Sequence, residues 1–303
     1  MIDSDLMARE YPFQSNFLEL HGRQYHYLDE GRGEPVLMLH GNPSWSFYYR
    51  HLAKSLRSGY RVIVPDHFGC GLSDKPADSG YSFTLKQRVD DLEALLEHLA
   101  IDEKITLVLH DWGGMIGMAY ASRYPQRIAR LVILNTAAFH LPAGKKFPWP
   151  LKICRDTQLG AFLVQGFNLF ARCAARVGCK KNPLSAQLRK AYCSPYDSWQ
   201  HRIATLRFVQ DIPLRPEDPG YQLISEVEAG LQRFADRPML ICWGEKDFVF
   251  DRHFLAQWKN RFPEAKVHAF ADCGHYILED ARDEVIPLIE TFLADHPLEQ
   301  ADS

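Results

Sequence analysis

Long apolar runs are missing from this 303-residue chain, and nothing in it approaches the ~18 to 20 consecutive apolar residues that a membrane-spanning helix requires. The opening stretch Met1-Ile2-Asp3-Ser4-Asp5-Leu6 has neither the basic region nor the apolar core of a secretory leader, so a cytoplasmic protein is expected. Cysteine is sparse and unpaired in pattern. The seven residues Cys70, Cys154, Cys173, Cys179, Cys193, Cys242 and Cys273 form an odd set without a Cys-x-x-Cys pair, which argues against a disulfide or zinc framework and for small buried hydrophobes. No His-Glu-x-x-His or similar spacing occurs, and neither a metal nor another cofactor is expected. An excess of positive charge is also absent. With 35 Lys and Arg against 38 Asp and Glu, the formal charge is -3, which excludes a nucleic-acid footprint and favours a small neutral substrate. There is no internal repeat and no low-complexity segment.

What the chain does have is 46% hydrophobic residues, enough for one large core with an insertion. Short runs rich in Val, Ile and Leu alternate with stretches of helical period, the pattern of a mostly parallel sheet covered on both faces. Strands are predicted at 17–19, 23–29, 36–40, 62–66, 105–110, 131–135, 239–243 and 266–270, the first two as an antiparallel hairpin about Gly22. Helices are predicted at 46–56, 85–99, 115–124 and 284–294. The alternation breaks between 139 and 230, where Pro-marked turns and helical stretches predict a helical cap inserted into a core made of 1–138 and 231–303. The polar tail 296–303 is expected to fray.

The chemistry is concentrated at three strand ends. In Val108-Leu109-His110-Asp111-Trp112-Gly113-Gly114 an apolar run stops at an aspartate followed by two glycines, the form of a nucleophile elbow that carries a carboxylate instead of the usual serine. A carboxylate suits displacement at saturated carbon or opening of a strained ring, where a serine alkoxide suits acyl carbon. Asp247 in Trp243-Gly244-Glu245-Lys246-Asp247 and His275 in Asp272-Cys273-Gly274-His275 follow, in the order nucleophile, acid, base. Singly, an Asp after a strand is more often a helix cap and a loop His is more often structural; three in chain order at three strand ends are not. His40-Gly41-Asn42-Pro43 follows another strand. Backbone N–H groups of Asn42 and Trp112 suit an oxyanion, and the Asn42 amide with the Trp112 indole suits a halide or another developing anion. The Gly-x-Gly of Asp66-His67-Phe68-Gly69-Cys70-Gly71 lacks the third glycine of a dinucleotide fingerprint and reads as a tight turn.

With these motifs assembled, the chain resembles the haloalkane dehalogenase branch of the α/β-hydrolases over almost its whole length. The resemblance implies an eight-stranded, mostly parallel sheet with a helical cap, Asp111 as nucleophile, His275 as base, Asp247 as acid, and Asn42 with Trp112 as the halide pair. Asn135 stands where another subfamily keeps its acid, and an amide cannot serve as one. Leu109 departs from the glycine of serine-type elbows. Gly41-Asn42-Pro43-Ser44-Trp45-Ser46, the stretch from Pro65 to Pro76, Asn135-Thr136-Ala137-Ala138-Phe139 and Phe208-Val209-Gln210-Asp211-Ile212-Pro213-Leu214 narrow the likeness to the β-lactone decarboxylase family of bacterial long-chain olefin biosynthesis.

That resemblance implies decarboxylation of a cis-3-alkyl-4-alkyloxetan-2-one to a cis-alkene and carbon dioxide, and assembly with the β-lactone synthetase and reductase of the same pathway. The alternatives are hydrolytic dehalogenation of 1-haloalkanes, which the same five residues can perform, and epoxide hydrolysis, for which Tyr192 and Tyr196 would have to activate the epoxide oxygen. Asn42 argues against the last. A ligand receptor without turnover need not keep all three catalytic groups. The apolar stretch 159–171 is expected to line an alkyl channel, to pack on the core, or to touch a membrane surface peripherally.

Overall fold

Seven consecutive buried residues, Ile105–Asp111, form strand β5 at the middle of the sheet, with no polar side to offer water. The computed structural model describes residues 4–298. Among them the strands are β1 (Asn16–Leu20), β2 (Arg23–Glu30), β3 (Pro35–Leu39), β4 (Arg61–Pro65), β5, β6 (Ile128–Thr136), β7 (Met239–Gly244) and β8 (Lys266–Phe270), in the spatial order β1-β2-β4-β3-β5-β6-β7-β8. β1 and β2 form the antiparallel hairpin, β2 pairs antiparallel with β4, and every later pair is parallel. Parallel strands need crossovers that place helices over both faces, which is why β3, β5, β6 and β7 are buried throughout. Each large aliphatic side chain buried there contributes about 1.5 to 3 kcal/mol by leaving water.

The crossovers supply α2 (Arg50–Leu56), α3 (Leu85–His98), α4 (Trp112–Arg123) and α11 (Arg252–Arg261), with α1 (Ser4–Glu10) at the start and, after β8, the single turn α12 (Ile277–Asp280) and α13 (Arg282–Asp295). Between β6 and β7 the described chain is helical: α5 (Trp149–Asp156), α6 (Gln158–Phe167), α7 (Leu169–Val177), α8 (Ala186–Cys193), α9 (Ile203–Gln210) and α10 (Tyr221–Gly230). Thr84, Thr157 and Ser185 each accept a hydrogen bond from a first-turn N–H and so start α3, α6 and α8.

Most element ends shift by a residue or two, 46–49 is a 3-10 turn ahead of α2, and α1, α11 and α12 are helices beyond those expected; three of the differences have a plain physical reason. Helix α4 starts at Trp112, three residues early, because Gly113 and Gly114 serve close packing and not termination. A Cβ on Gly113 would lie 1.9 Å from the Leu39 carbonyl oxygen. Strand β6 begins at Ile128, ahead of the expected 131, because Arg130 does not break it. Its guanidinium is buried against the Thr106 hydroxyl at 2.8 Å and the Leu293 carbonyl at 3.2 Å. The tail is anchored as far as it is described: Arg130 donates to the His296 carbonyl and Leu298 N–H to Glu34, while 299–303 lie outside the described residues. So do residues 1–3 of the opening stretch.

Candidate active site

Strand β5 delivers Asp111 at φ 52° and ψ −127°, a left-handed conformation that non-glycine residues seldom take and that aims the carboxylate above the sheet. Room for it comes from Gly41, where a Cβ would lie 1.8 Å from Asp111 Oδ1. The backbone N–H of Asn42 donates to that same Oδ1 at 2.7 Å. The other oxygen, Oδ2, lies 3.4 Å from His275 Nε2. One carboxylate oxygen is therefore tied to a backbone donor and the other faces His275.

His275 Nδ1 is 2.7 Å from Asp247 Oδ2. The rest of the Asp247 carboxylate is also held, with Val249 N–H donating to Oδ1 at 2.8 Å and Asn135 Nδ2 to Oδ2 at 3.1 Å. Asn135 additionally donates to the Gly244 carbonyl and accepts from the Gly244 N–H. It is not an acid; it aims one. Asp111, Asp247 and His275 are thus brought together from three strand ends, with Asn42 and Trp112 on the same spot.

Burial disfavours a charged His275, yet Asp247 and Asp111 outweigh it and raise its pKa from 6.5 to about 10. Asp111, which burial alone would push up, is lowered by His275. Both shifts favour the charged forms of His275 and Asp111. The neighbouring His110, stacked on Tyr48 and donating from Nε2 to the His275 carbonyl at 2.9 Å, is pushed down to about 3 by burial first and by His275 next. It stays neutral and adds no competing charge. We expect nuclear magnetic resonance of the ring nitrogens to find His275 still protonated at about pH 8, with Asp247→Asn bringing its titration towards neutral; a neutral wild-type ring at that pH would contradict this arrangement. Because the folded value lies above the ordinary one, the accompanying stabilisation is complete below pH 6.5 and is lost as pH rises through about 10.

The anion donors are partly engaged already. Asn42 Nδ2 donates one hydrogen to the Thr205 carbonyl on α9 at 3.0 Å, which leaves its second hydrogen free. Trp112 lines the cavity beside it. Behind Trp112 lies Phe208, ring centroids 5.4 Å apart, and Arg88 sits 3.7 Å above the Phe208 ring. Arg88 pairs with Asp211 at 2.9 Å in the interior, and burial, opposed by Arg88, raises Asp211 to about 6. Sequence reasoning misses this buried pair, although a charged Asp211 among Phe208, Val209, Ile212 and Leu214 is a signal for it.

The Asn42 loop is braced from below. His40 Nδ1 donates to the Gly41 carbonyl at 2.8 Å, and its Nε2 accepts from His67 N–H at 3.2 Å. Asp66 accepts from Ser46 and Leu72 N–H and pairs with His26; despite burial, that pairing keeps its pKa low. The Gly-x-Gly segment is a turn closed on the Asp66 carboxylate.

Above the carboxylate lies an apolar cavity of about 220 Å³. Its floor is Asn42, Asp111, Trp112 and His275; its walls include Phe139, Leu151, Phe170, Val209, Ile212 and Phe250. Of the three readings open for 159–171, channel lining holds for one end only. Of that stretch only Leu169 and Phe170 reach the cavity, while Leu159, Phe162 and Phe167 face outward. Helix α6 turns its apolar side away from the site, and α5 and α7 supply the wall. Tyr192 and Tyr196 do not line the cavity: their hydroxyls bond to Glu279 and to the Ser44 carbonyl. That removes the epoxide-activating pair. Among the described residues no group of three or more His, Cys, Asp or Glu is placed to hold a metal ion.

Comparison with known proteins gives a consistent picture. A family model described as alpha/beta hydrolase fold matches residues 34–281. The chain is 62% identical over 284 residues, 94% of its length and 89% of the relative's, to a cis-3-alkyl-4-alkyloxetan-2-one decarboxylase of Shewanella oneidensis. A protein of the same name from Xanthomonas campestris is 49% identical over 90% of this chain and 93% of its own. Haloalkane dehalogenase 2 of Mycobacterium tuberculosis is 31% identical, covering 93% and 96%. Among solved structures, the haloalkane dehalogenase DatA of Agrobacterium tumefaciens superposes with a TM-score of 0.83 over 94% of this chain and 97% of that one, at 23% identity, a likeness of fold.

Proposed function

Since this chain belongs to the alpha/beta hydrolase family, and within it to the haloalkane dehalogenase-like group that contains these decarboxylases, we propose that it converts a cis-3-alkyl-4-alkyloxetan-2-one to a cis-alkene and carbon dioxide. The observation that carries this choice is the 62% identity across 94% of the chain. The geometry supports it: a carboxylate with one free oxygen, a paired anion site and an apolar cavity. Residues 139–230 act in this reading as the cap over a core of 1–138 and 231–303.

Asp111 Oδ2 attacks ring carbon C4 from the face opposite the ring oxygen. The C4–O bond breaks, and the electron pair leaves on what is now a free carboxylate attached to C3. Asn42 and Trp112 receive that carboxylate where a dehalogenase would receive halide. The C3–carboxyl bond then breaks, its pair forms the C3–C4 double bond, carbon dioxide leaves, and the Asp111 ester is expelled as carboxylate. Inversion at C4 followed by anti elimination preserves cis geometry. The His275 imidazolium, oriented by Asp247, stabilises the departing Asp111 carboxylate. No water is consumed. In the dehalogenase alternative, conversion of Asp111 to a neutral ester removes one of the two charges that raise His275, freeing the ring to act as base on water.

The test is a paired assay of the purified protein on a synthetic cis-dialkyl lactone and on bromoalkanes in isotope-labelled water. Alkene with no label in Asp111 is expected. Halide and alcohol with labelled Asp111 and no alkene would move the assignment to hydrolytic dehalogenation. The same reading includes a cytoplasmic setting and assembly with the β-lactone synthetase and reductase, whose proximity would keep a reactive, water-averse lactone from hydrolysis.

A further inference from the structure

The net charge of -3 conceals a partition. Residues 141–199 carry ten Lys and Arg against two Asp, a balance of +8, and the remainder of the chain stands at −11. Eight of the eleven large exposed hydrophobic side chains fall in the same stretch, among them Trp149 (73% exposed), Leu159 (64%), Phe162 (50%) and Trp199 (46%). They adjoin one another. The Phe162 ring lies 5.6 Å from Phe167 and 6.0 Å from Trp199, Leu159 stands one turn before Phe162 on α6, and the end of α5 packs on Gly160.

Beside this patch Phe167 edges a cleft of about 570 Å³ lined by Arg172, Arg176, Arg189, Lys190 and Arg202, with Asp197 its only acid. Arg172, Arg176 and Lys190 are exposed. Contiguous exposed aromatics mark a surface made for contact, and aromatics flanked by Lys and Arg match one occupant chemically: hydrocarbon for the rings, phosphate for the cations.

We infer that the outer face of the cap docks on an anionic phospholipid bilayer. Leu169 and Val177 are both exposed and part of the cavity wall, so the docked face adjoins the route to Asp111. Resting on the proposed function, this face takes dialkyl lactone from the membrane or returns alkene to it; docking itself does not depend on that reading.

The test is cosedimentation of the full chain with vesicles of phosphatidylcholine alone or with about one-third phosphatidylglycerol, at low and high salt. Binding to the anionic vesicles at low salt, weakened by high salt, is expected. The Leu159→Glu/Phe162→Glu pair and the Arg172→Gln/Arg176→Gln pair should each lower the partition coefficient about tenfold while short-chain lactone turnover is unchanged. Folding of each variant is checked by circular dichroism, and the second pair serves if the first does not fold. Absence of vesicle binding at low salt, salt-indifferent binding to neutral vesicles, or a dimer through Phe162 without vesicle binding would each overturn the docking. Vesicle binding by a protein inactive on lactone would overturn the proposed reaction and leave the docking standing.

Discussion

Replacing Asp111 by asparagine is expected to cut alkene formation by about four orders of magnitude or more while the protein stays folded. Asparagine keeps the size of the side chain and tolerates the φ of 52° better than other residues. It also retains an oxygen for the Asn42 N–H. What it loses is the nucleophilic oxygen facing His275, so chemistry is separated from elbow strain. The substitution removes one of the two charges that raise His275, and its titration should fall accordingly. Gas chromatography of product together with the thermal midpoint checks this; a variant with substantial turnover would mean that the lactone fragments without covalent attachment.

The second large effect is structural. Asp280, at the end of α12, is wholly buried and accepts four backbone N–H groups: Lys180 at 2.7 Å, Lys181 at 3.0 Å, Asn182 at 2.8 Å and Gly274 at 2.6 Å. Three come from the turn between α7 and α8, and the fourth immediately precedes His275. Tyr276 N–H bonds the Gly178 carbonyl at 3.0 Å, closing the same seam. Removing the carboxylate strands several interior donors at once. Asp280→Ala is therefore expected to cost about 3 to 5 kcal/mol, a fall in melting temperature of roughly 5 to 8 °C for a chain of this length. Asp280→Asn should be nearly as damaging, because its NH2 would face donors. A loss below about 1 kcal/mol in calorimetry would show that the seam rearranges easily.

Much of this architecture is legible in the chain because parallel strands buried on both faces leave unbroken apolar runs, as at 105–110 and 239–243. The strand-end motifs at Asp111, Asp247 and His275 are legible for a related reason: each is punctuated by glycine where the backbone turns sharply. The supporting contacts are not legible. Arg88 and Asp211 stand 123 residues apart, Asn135 and Asp247 stand 112 apart, and no local period encodes such pairs. Arg130, buried inside β6, finds its partners on β5 and α13, and nothing in its own segment announces them. The segment 159–171 leaves channel, core packing and surface contact open because composition reports how apolar a helix is, not which way it faces.

The hydrogen bond from Asn42 to the Thr205 carbonyl ties the proposed anion site to the helical segment above it. One donor arm of the anion site is oriented by α9, which belongs to the helical segment above the sheet, whereas the nucleophile belongs to β5. Any opening wide enough to withdraw Thr205 leaves the amide free to turn and the leaving group without a fixed receiver. On the proposed function, the leaving group meets a fixed receiver only while α9 stays seated on the Asn42 loop.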